Sequence, residues 1–116
     1  MSLSDQAEQF RSAYEVQSSP THRETQRNLI AEEFEEFCYA HRKETDADVL
    51  KELADLVYVC FQYAANQDWD LEEAMFRVHK SNLSKLGLDG KPIRRSDGKV
   101  LKGPNYTPPY LDDLVK

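Results

Sequence analysis

Leu53-Ala54-Asp55-Leu56-Val57-Tyr58-Val59-Cys60-Phe61 is the most apolar run of the chain and has to be read first. Coiled as a helix it is apolar on nearly every side, the pattern of an element in the middle of a fold. Its β-branched and aromatic residues are compatible with a strand. The run, however, continues beyond a typical strand length and contains neither Gly nor Pro. We read it as the centre of a helix capped by Thr45 or Asp46 and reaching about Asn66.

Working outward, Ser19-Pro20 has the form of an N-cap followed by proline in the first turn, which predicts a long helix from Pro20 to about Lys43. Before it, Ser4 is placed to cap a peripheral helix to about Val16, with Phe10 and Tyr14 as a narrow apolar stripe. After it, Asp70 with Glu73 forms a capping-box pattern. That pattern opens a fourth helix, with Leu71, Ala74, Met75 and Val78 on one face and Gly87 as its stop. Asp89-Gly90-Lys91-Pro92 and Ser96-Asp97-Gly98-Lys99 are turn signals, and Ile93 is expected to pair with Val100-Leu101 as a short hairpin. Gly103-Pro104-Asn105-Tyr106-Thr107-Pro108-Pro109 is expected to be an extended arm. The predicted architecture is all-α and four-helix-bundle-like. It comprises a helical part over residues 1–87 and a hairpin and arm over 88–116 packed on the same single domain.

The chain's 116 residues are 40% hydrophobic and 31% charged, ordinary for a folded protein and far from the composition of disorder. A formal charge of −6 argues against a nucleic-acid polymer as partner, because such binders present basic faces that release counterions from phosphates. A small phosphorylated ligand is still allowed. The acids lie mainly before residue 75, whereas Lys80, Lys85, Lys91, Arg94, Arg95, Lys99 and Lys102 come after it and give that region a local positive field. Cys38 and Cys60 lack zinc-ligand or C-x-x-C spacing and read as reduced core residues. No apolar run approaches the ~20 residues that span a bilayer, and the first residues lack the features of a signal peptide. The expectation is no membrane and a cytoplasmic protein.

Chemistry is suggested by acids at helical spacing. Ile30-Ala31-Glu32-Glu33-Phe34-Glu35-Glu36-Phe37 holds four glutamates, and Glu33 and Glu36, three apart, share a face. A solvated acidic face is the simplest reading of such a cluster. Glu52 and Asp55 are also three apart, and Asp55 falls inside the apolar run, where an uncompensated charge is costly. Lys51 offers an ordinary ion pair, but one ammonium cannot serve four carboxylates. If the two helices form an antiparallel hairpin, the pairs face each other, and a divalent cation with oxygen ligands is the natural counterion. Magnesium in particular keeps some water and reaches for phosphates. Di-metal redox sites are disfavoured because no Glu-x-x-His occurs in these segments. His22, His41 and His79 read as ordinary polar residues rather than ligands.

The pattern Glu32-Glu33-x-x-Glu36, fifteen residues, Glu52-x-x-Asp55 resembles the signature of the all-α NTP pyrophosphohydrolases. That superfamily includes MazG-like proteins, dimeric dUTPases and phosphoribosyl-ATP pyrophosphohydrolase. The resemblance covers about residues 20 to 87. It implies Mg²⁺, with Mn²⁺ as a substitute, on Glu33, Glu36, Glu52 and Asp55. It also implies a catalytic set of Glu32, Glu33 and Glu36, with Glu32 orienting water from outside the ligand shell. Lys80, Asn82 and Lys85, in Lys80-Ser81-Asn82-Leu83-Ser84-Lys85, occupy the place from which the family binds its nucleotide substrate. The competing reading of Lys85 is a cation complementing the helix dipole. The tail resembles an extension of a MazG-like subgroup, where Arg94, Arg95 and Lys102 are a second candidate source of phosphate contacts. Trp69, Phe10 and Tyr14 are read as packing residues before nucleobase partners.

The activity implied by the resemblance is Mg-dependent hydrolysis of a nucleoside triphosphate at the α–β phosphoanhydride, giving a nucleoside monophosphate and pyrophosphate. No Walker loop and no Ser/Cys–His arrangement competes with that chemistry. A homodimer or homotetramer is expected, because Tyr58, Phe61 and Phe76 have too few partners in one short chain. The alternatives are phosphoribosyl-ATP as the substrate, in histidine synthesis, and a helical protein-interaction module whose acids are a docking surface.

Overall fold

The computed structural model describes residues 1–115. Its elements are α1 (Leu3–Ala13), α2 (Pro20–Lys43), α3 (Asp46–Gln67), α4 (Leu71–Leu83), β1 (Ile93–Arg94), β2 (Val100–Leu101) and a 3-10 turn at Asp112–Leu114. The all-α class is therefore correct, with one two-stranded ribbon added. The chain divides into two compact units, Met1–Leu71 and a second beginning at Glu72.

In the first unit the start of α2 obeys the sequence signal: Ser19 caps it, accepting from the His22 N–H, with Pro20 in the first turn. Only Glu44 and Thr45 separate α2 from α3, so the two helices fold back on each other and pack along their lengths. Thr45 and Asp48 close a capping box that fixes this corner: Thr45 Oγ1 accepts from the Asp48 N–H at 3.2 Å, and Asp48 Oδ2 from the Thr45 N–H at 3.4 Å. Helix α3 ends at Asp68, whose φ of 57° is the left-handed conformation that stops a helix.

Helix α1 packs on α3 and differs from expectation at both ends. Its cap is Ser2, which accepts from the Asp5 N–H, rather than Ser4. It stops at Ala13 rather than Val16, because the chain turns through Glu15 at φ 54°. The helix also buries Arg11, which is 4% exposed. The guanidinium is held by four neutral acceptors: Gln62 Oε1 (3.2 Å), Asn66 Oδ1 (3.3 Å), Ser18 Oγ (3.0 Å) and the Gln17 carbonyl (3.4 Å). A buried polar group survives when its donors are matched, and here amides do what a carboxylate would otherwise do.

The apolar core of this unit is thin, built on Ala7, Ala40, Phe61 and Ala64. Phe61, expected to lack partners in a single chain, is buried once α1 covers α3. The opposite holds for Leu53, Val57 and Tyr58 of the apolar run and for Leu50 just before it, which are exposed. With Leu3 and Ala7 they line a cavity of about 370 Å³ between α1 and α3.

In the second unit α4 ends at Leu83, four residues before Gly87. The last turn tightens into bonds to residues three back, and the Ser84 hydroxyl donates to the Ser81 carbonyl at 2.6 Å. The segment at Thr107 then takes over: the Ser81 hydroxyl donates to the Thr107 carbonyl (2.7 Å), and the Thr107 N–H donates to Ser84 Oγ (2.9 Å). The ribbon pairs Ile93 with Leu101 and Arg94 with Val100, as the turn signals implied. Arg77 ties α4 to the end of the arm, donating to both carboxylate oxygens of Asp113 (2.6 and 3.1 Å) and to the Tyr110 carbonyl. Glu73, one turn earlier on α4, accepts from the same guanidinium.

Candidate metal centre

The α2–α3 corner decides which acids meet. Glu36 lies eight residues before Glu44 and Glu52 seven after Thr45, so on helices that fold back on each other they reach similar heights. Glu33 is one turn further along α2 on the same face. The result is a cluster in which Glu33, Glu36 and Glu52 each offer an oxygen within 4.8 Å of the others.

Glu36 is exposed, but the surroundings of Glu33 and Glu52 are unlike a wet helix face. Glu33 Oε2 and Glu52 Oε2 are buried and have no hydrogen-bond partner among the described residues. Leaving a buried acceptor unsatisfied costs about 1–3 kcal/mol, more if it is charged. Burial pushes the Glu33 carboxyl up to about 7, helped by a hydrogen bond with Glu36 and by the charges of Glu36, Asp55 and Glu52. The donor set fits magnesium: carboxylate oxygens only, with neither sulfur nor imidazole.

Asp55 stands differently from the expectation. Its side chain is 38% exposed, because the apolar residues around it leave much of α3 uncovered. It does find a partner: Lys51 Nζ lies 2.7 Å from Asp55 Oδ2 and 3.6 Å from Glu52 Oε1. Its charge is nonetheless felt at Glu33, so it borders the cluster. Glu32, next to Glu33 and therefore turned away from it along the helix, is exposed and outside the three-carboxylate group. Lys80 and Asn82 lie on the last turns of α4 and Lys85 just beyond them, all in the second unit. There the Lys80 ammonium stands 5.6 Å from the centre of the Phe76 ring.

Gln26 and Arg23 of the first unit do not stand out in the sequence. Gln26 is buried on α2 seven residues before Glu33, hence on nearly the same face, and its Oε1 also lacks a hydrogen-bond partner among the described residues. The spacing of seven was the available signal. Arg23 donates from Nε to the Tyr63 hydroxyl at 3.0 Å and sits over the Trp69 ring at 5.6 Å, so this tryptophan is engaged in packing. Phe10 likewise packs, 4.7 Å from Tyr14 and edge-on to Tyr58 at 5.7 Å. Among the described residues no histidine joins the cluster: His22 bonds the Gln17 carbonyl through Nδ1 and His41 stacks on Phe37. Cys38 and Cys60 are free and half-buried, and burial raises the Cys60 thiol.

A family model described as phosphoribosyl-ATP pyrophosphohydrolase matches residues 5–82, which takes in α2, α3, all but the first two residues of α1, and the cluster. No curated protein sequence matches the chain. Among the described residues no helix is long and apolar enough to cross a membrane.

Proposed function

The chain belongs to the phosphoribosyl-ATP pyrophosphohydrolase family and is thus a pyrophosphohydrolase, a hydrolase of acid anhydrides; from that premise we propose a Mg²⁺-dependent nucleoside triphosphate pyrophosphohydrolase. It cleaves the α–β phosphoanhydride and releases a nucleoside monophosphate and pyrophosphate. The observation that carries the metal requirement is the meeting of Glu33, Glu36 and Glu52 within 4.8 Å with two buried oxygens unanswered.

In this reading Glu33, Glu36 and Glu52 would hold the ion from α2 and α3, with Asp55 as the fourth ligand. When bound, magnesium supplies neutralisation of phosphate oxygens, a more acidic water and help for the pyrophosphate leaving group. Glu33 would serve as a ligand in its ionised form, and Glu36 is exposed at the edge of the cluster, where a water can reach it. Glu32, exposed beside it, orients that water from outside the ligand shell. Lys80, Asn82 and Lys85 are assigned to phosphate and sugar, on residue type. The exposed face of Leu50, Leu53, Val57 and Tyr58 supports assembly as a homodimer or homotetramer.

The test is pyrophosphate release from a panel of ribo- and deoxyribonucleoside triphosphates, with Mg²⁺ or Mn²⁺ and with chelator. Turnover that needs the ion and disappears in Glu36→Gln and Asp55→Asn is expected. Folded protein that turns over no member of the panel would overturn the reading. The family description favours a second substrate, phosphoribosyl-ATP itself, which belongs in the same panel. The docking-module reading of the acids draws no support from the family match, which describes a pyrophosphohydrolase.

A further inference from the structure

Lys51 precedes Glu52 by one residue and Asp55 by one turn, and its ammonium touches both carboxylates, at 3.6 and 2.7 Å. Intrinsic helix preference contributes only weakly to this contact, since a cation four residues before an acid is the weaker of the two orders. Packing does not account for it, because the lysine side chain is 67% exposed. What holds it is Asp55 first and Glu52 second, and these two acids tie it to the cluster, where Glu52 converges with Glu33 and Glu36 within 4.8 Å. One ammonium answers only the outer side of that cluster. The buried oxygens Glu33 Oε2 and Glu52 Oε2 have no hydrogen-bond partner among the described residues.

A divalent ion seeking carboxylate oxygens competes for Asp55 and Glu52 themselves. Once seated it also repels an ammonium of the same sign a few ångströms away. An exposed lysine on a flexible four-carbon stem can leave at small cost, since such pairs contribute little to stability. We propose that Lys51 is the cluster's own exchangeable counterion: it occupies Asp55 and Glu52 in the metal-free chain, gives way when a divalent ion enters, and so sets the affinity for that ion. This rests on the metal-binding reading above.

Two measurements on the full chain without nucleotide test it. In calorimetric titration with MgCl₂, Lys51→Met should bind about fivefold more tightly than wild type, the scale of losing an exposed ion-pair competitor. Lys51→Arg, which keeps the charge, should stay at the wild-type value. In competitive acylation followed by mass spectrometry, Lys51 should be modified faster when MgCl₂ is added, with the chain's other lysines as internal standards. Lys51→Met binding no more tightly than wild type, or Lys51 acylated no faster with magnesium, would overturn the role given to Lys51 alone. A wild-type chain that binds no magnesium overturns the metal site as well, so the two failures are distinguishable.

Discussion

Arg11 Nη1 on α1 donates to Gln62 Oε1 on α3 at 3.2 Å, while Nη2 of the same guanidinium reaches Asn66 one turn further along α3. Gln62 in turn donates from Nε2 to the Ala7 carbonyl, closing the contact from both sides. Arg11→Ala would leave the buried Gln62 Oε1 unpaired and Asn66 Oδ1 with only the Ser19 N–H, as well as opening a void. The expected loss is about 3 kcal/mol, at the upper end for single substitutions. Thermal melting checks it; a shift of only one or two degrees would mean that the network contributes little. Arg11→Lys should recover only part, because an ammonium cannot reproduce the planar fork that addresses both amides.

Repulsion in the carboxylate cluster gives a second, two-sided expectation. Glu52→Gln removes a charge from a group whose side chain is 17% exposed and whose Oε2 is orphaned. Without metal the variant should therefore be more stable than wild type, by about 0.5–1 kcal/mol. With magnesium the order should reverse, because only wild type gains ion-binding free energy. Turnover should fall by ~10²-fold or more, the scale of removing a charge-stabilising group. Paired melting curves in chelator and in MgCl₂ decide the matter; equal responses of the two proteins to magnesium would remove Glu52 from the ligand set.

Local grammar and tertiary override divide cleanly in this chain. The Ser19-Pro20 start, the Thr45 box and the pairing of Ile93 with Leu101 depend on residues within a few positions, and each is legible in the sequence. Glu33, Glu36 and Glu52 are legible for the same reason: helical spacing plus a two-residue corner fixes their meeting. The end of α4 is not, because its stop is set by Thr107, more than twenty residues away, rather than by Gly87. Arg11 escapes because periodicity treats arginine as a surface residue, and its amide partners lie more than fifty residues along the chain. Asp55 looks buried in the sequence because apolar neighbours there do not guarantee cover in space.

Gly103 supplies a prediction for the second unit. Any Cβ at this position would run into the Leu86 and Lys85 carbonyl oxygens, which are backbone and cannot swing aside. Gly103→Ala should push the arm off the end of α4 and weaken the Tyr106 N–H bond to the Gly103 carbonyl (3.2 Å) and the Thr107 N–H bond to Ser84 Oγ. Hydrogen exchange at Tyr106 and Thr107 should speed up by an order of magnitude or more, corresponding to about 1.4 kcal/mol or more of local stability. Unchanged protection at both amides would show that the backbone absorbs the extra carbon.

The carboxyl of Glu33 carries the pH dependence. Burial raises it to about 7 from an ordinary 4.5, and Glu36, Asp55 and Glu52 push in the same direction. A raised carboxyl binds its proton more tightly folded than unfolded. Between these two values the metal-free chain is therefore stabilised by acid, and this contribution is lost as pH climbs toward 7. A ligand carboxylate must shed that proton, so magnesium affinity should run the other way, weakening by up to about tenfold for each pH unit below 7. In chelator the melting temperature should fall from pH 5 to 7.5, whereas in MgCl₂ this decline should be smaller or reversed. Calorimetry at pH 6 in buffers of different ionisation enthalpy should register protons released as the ion binds. Binding at pH 6 without proton release would mean that Glu33 is already ionised in the metal-free chain, and would separate its burial from the metal affinity.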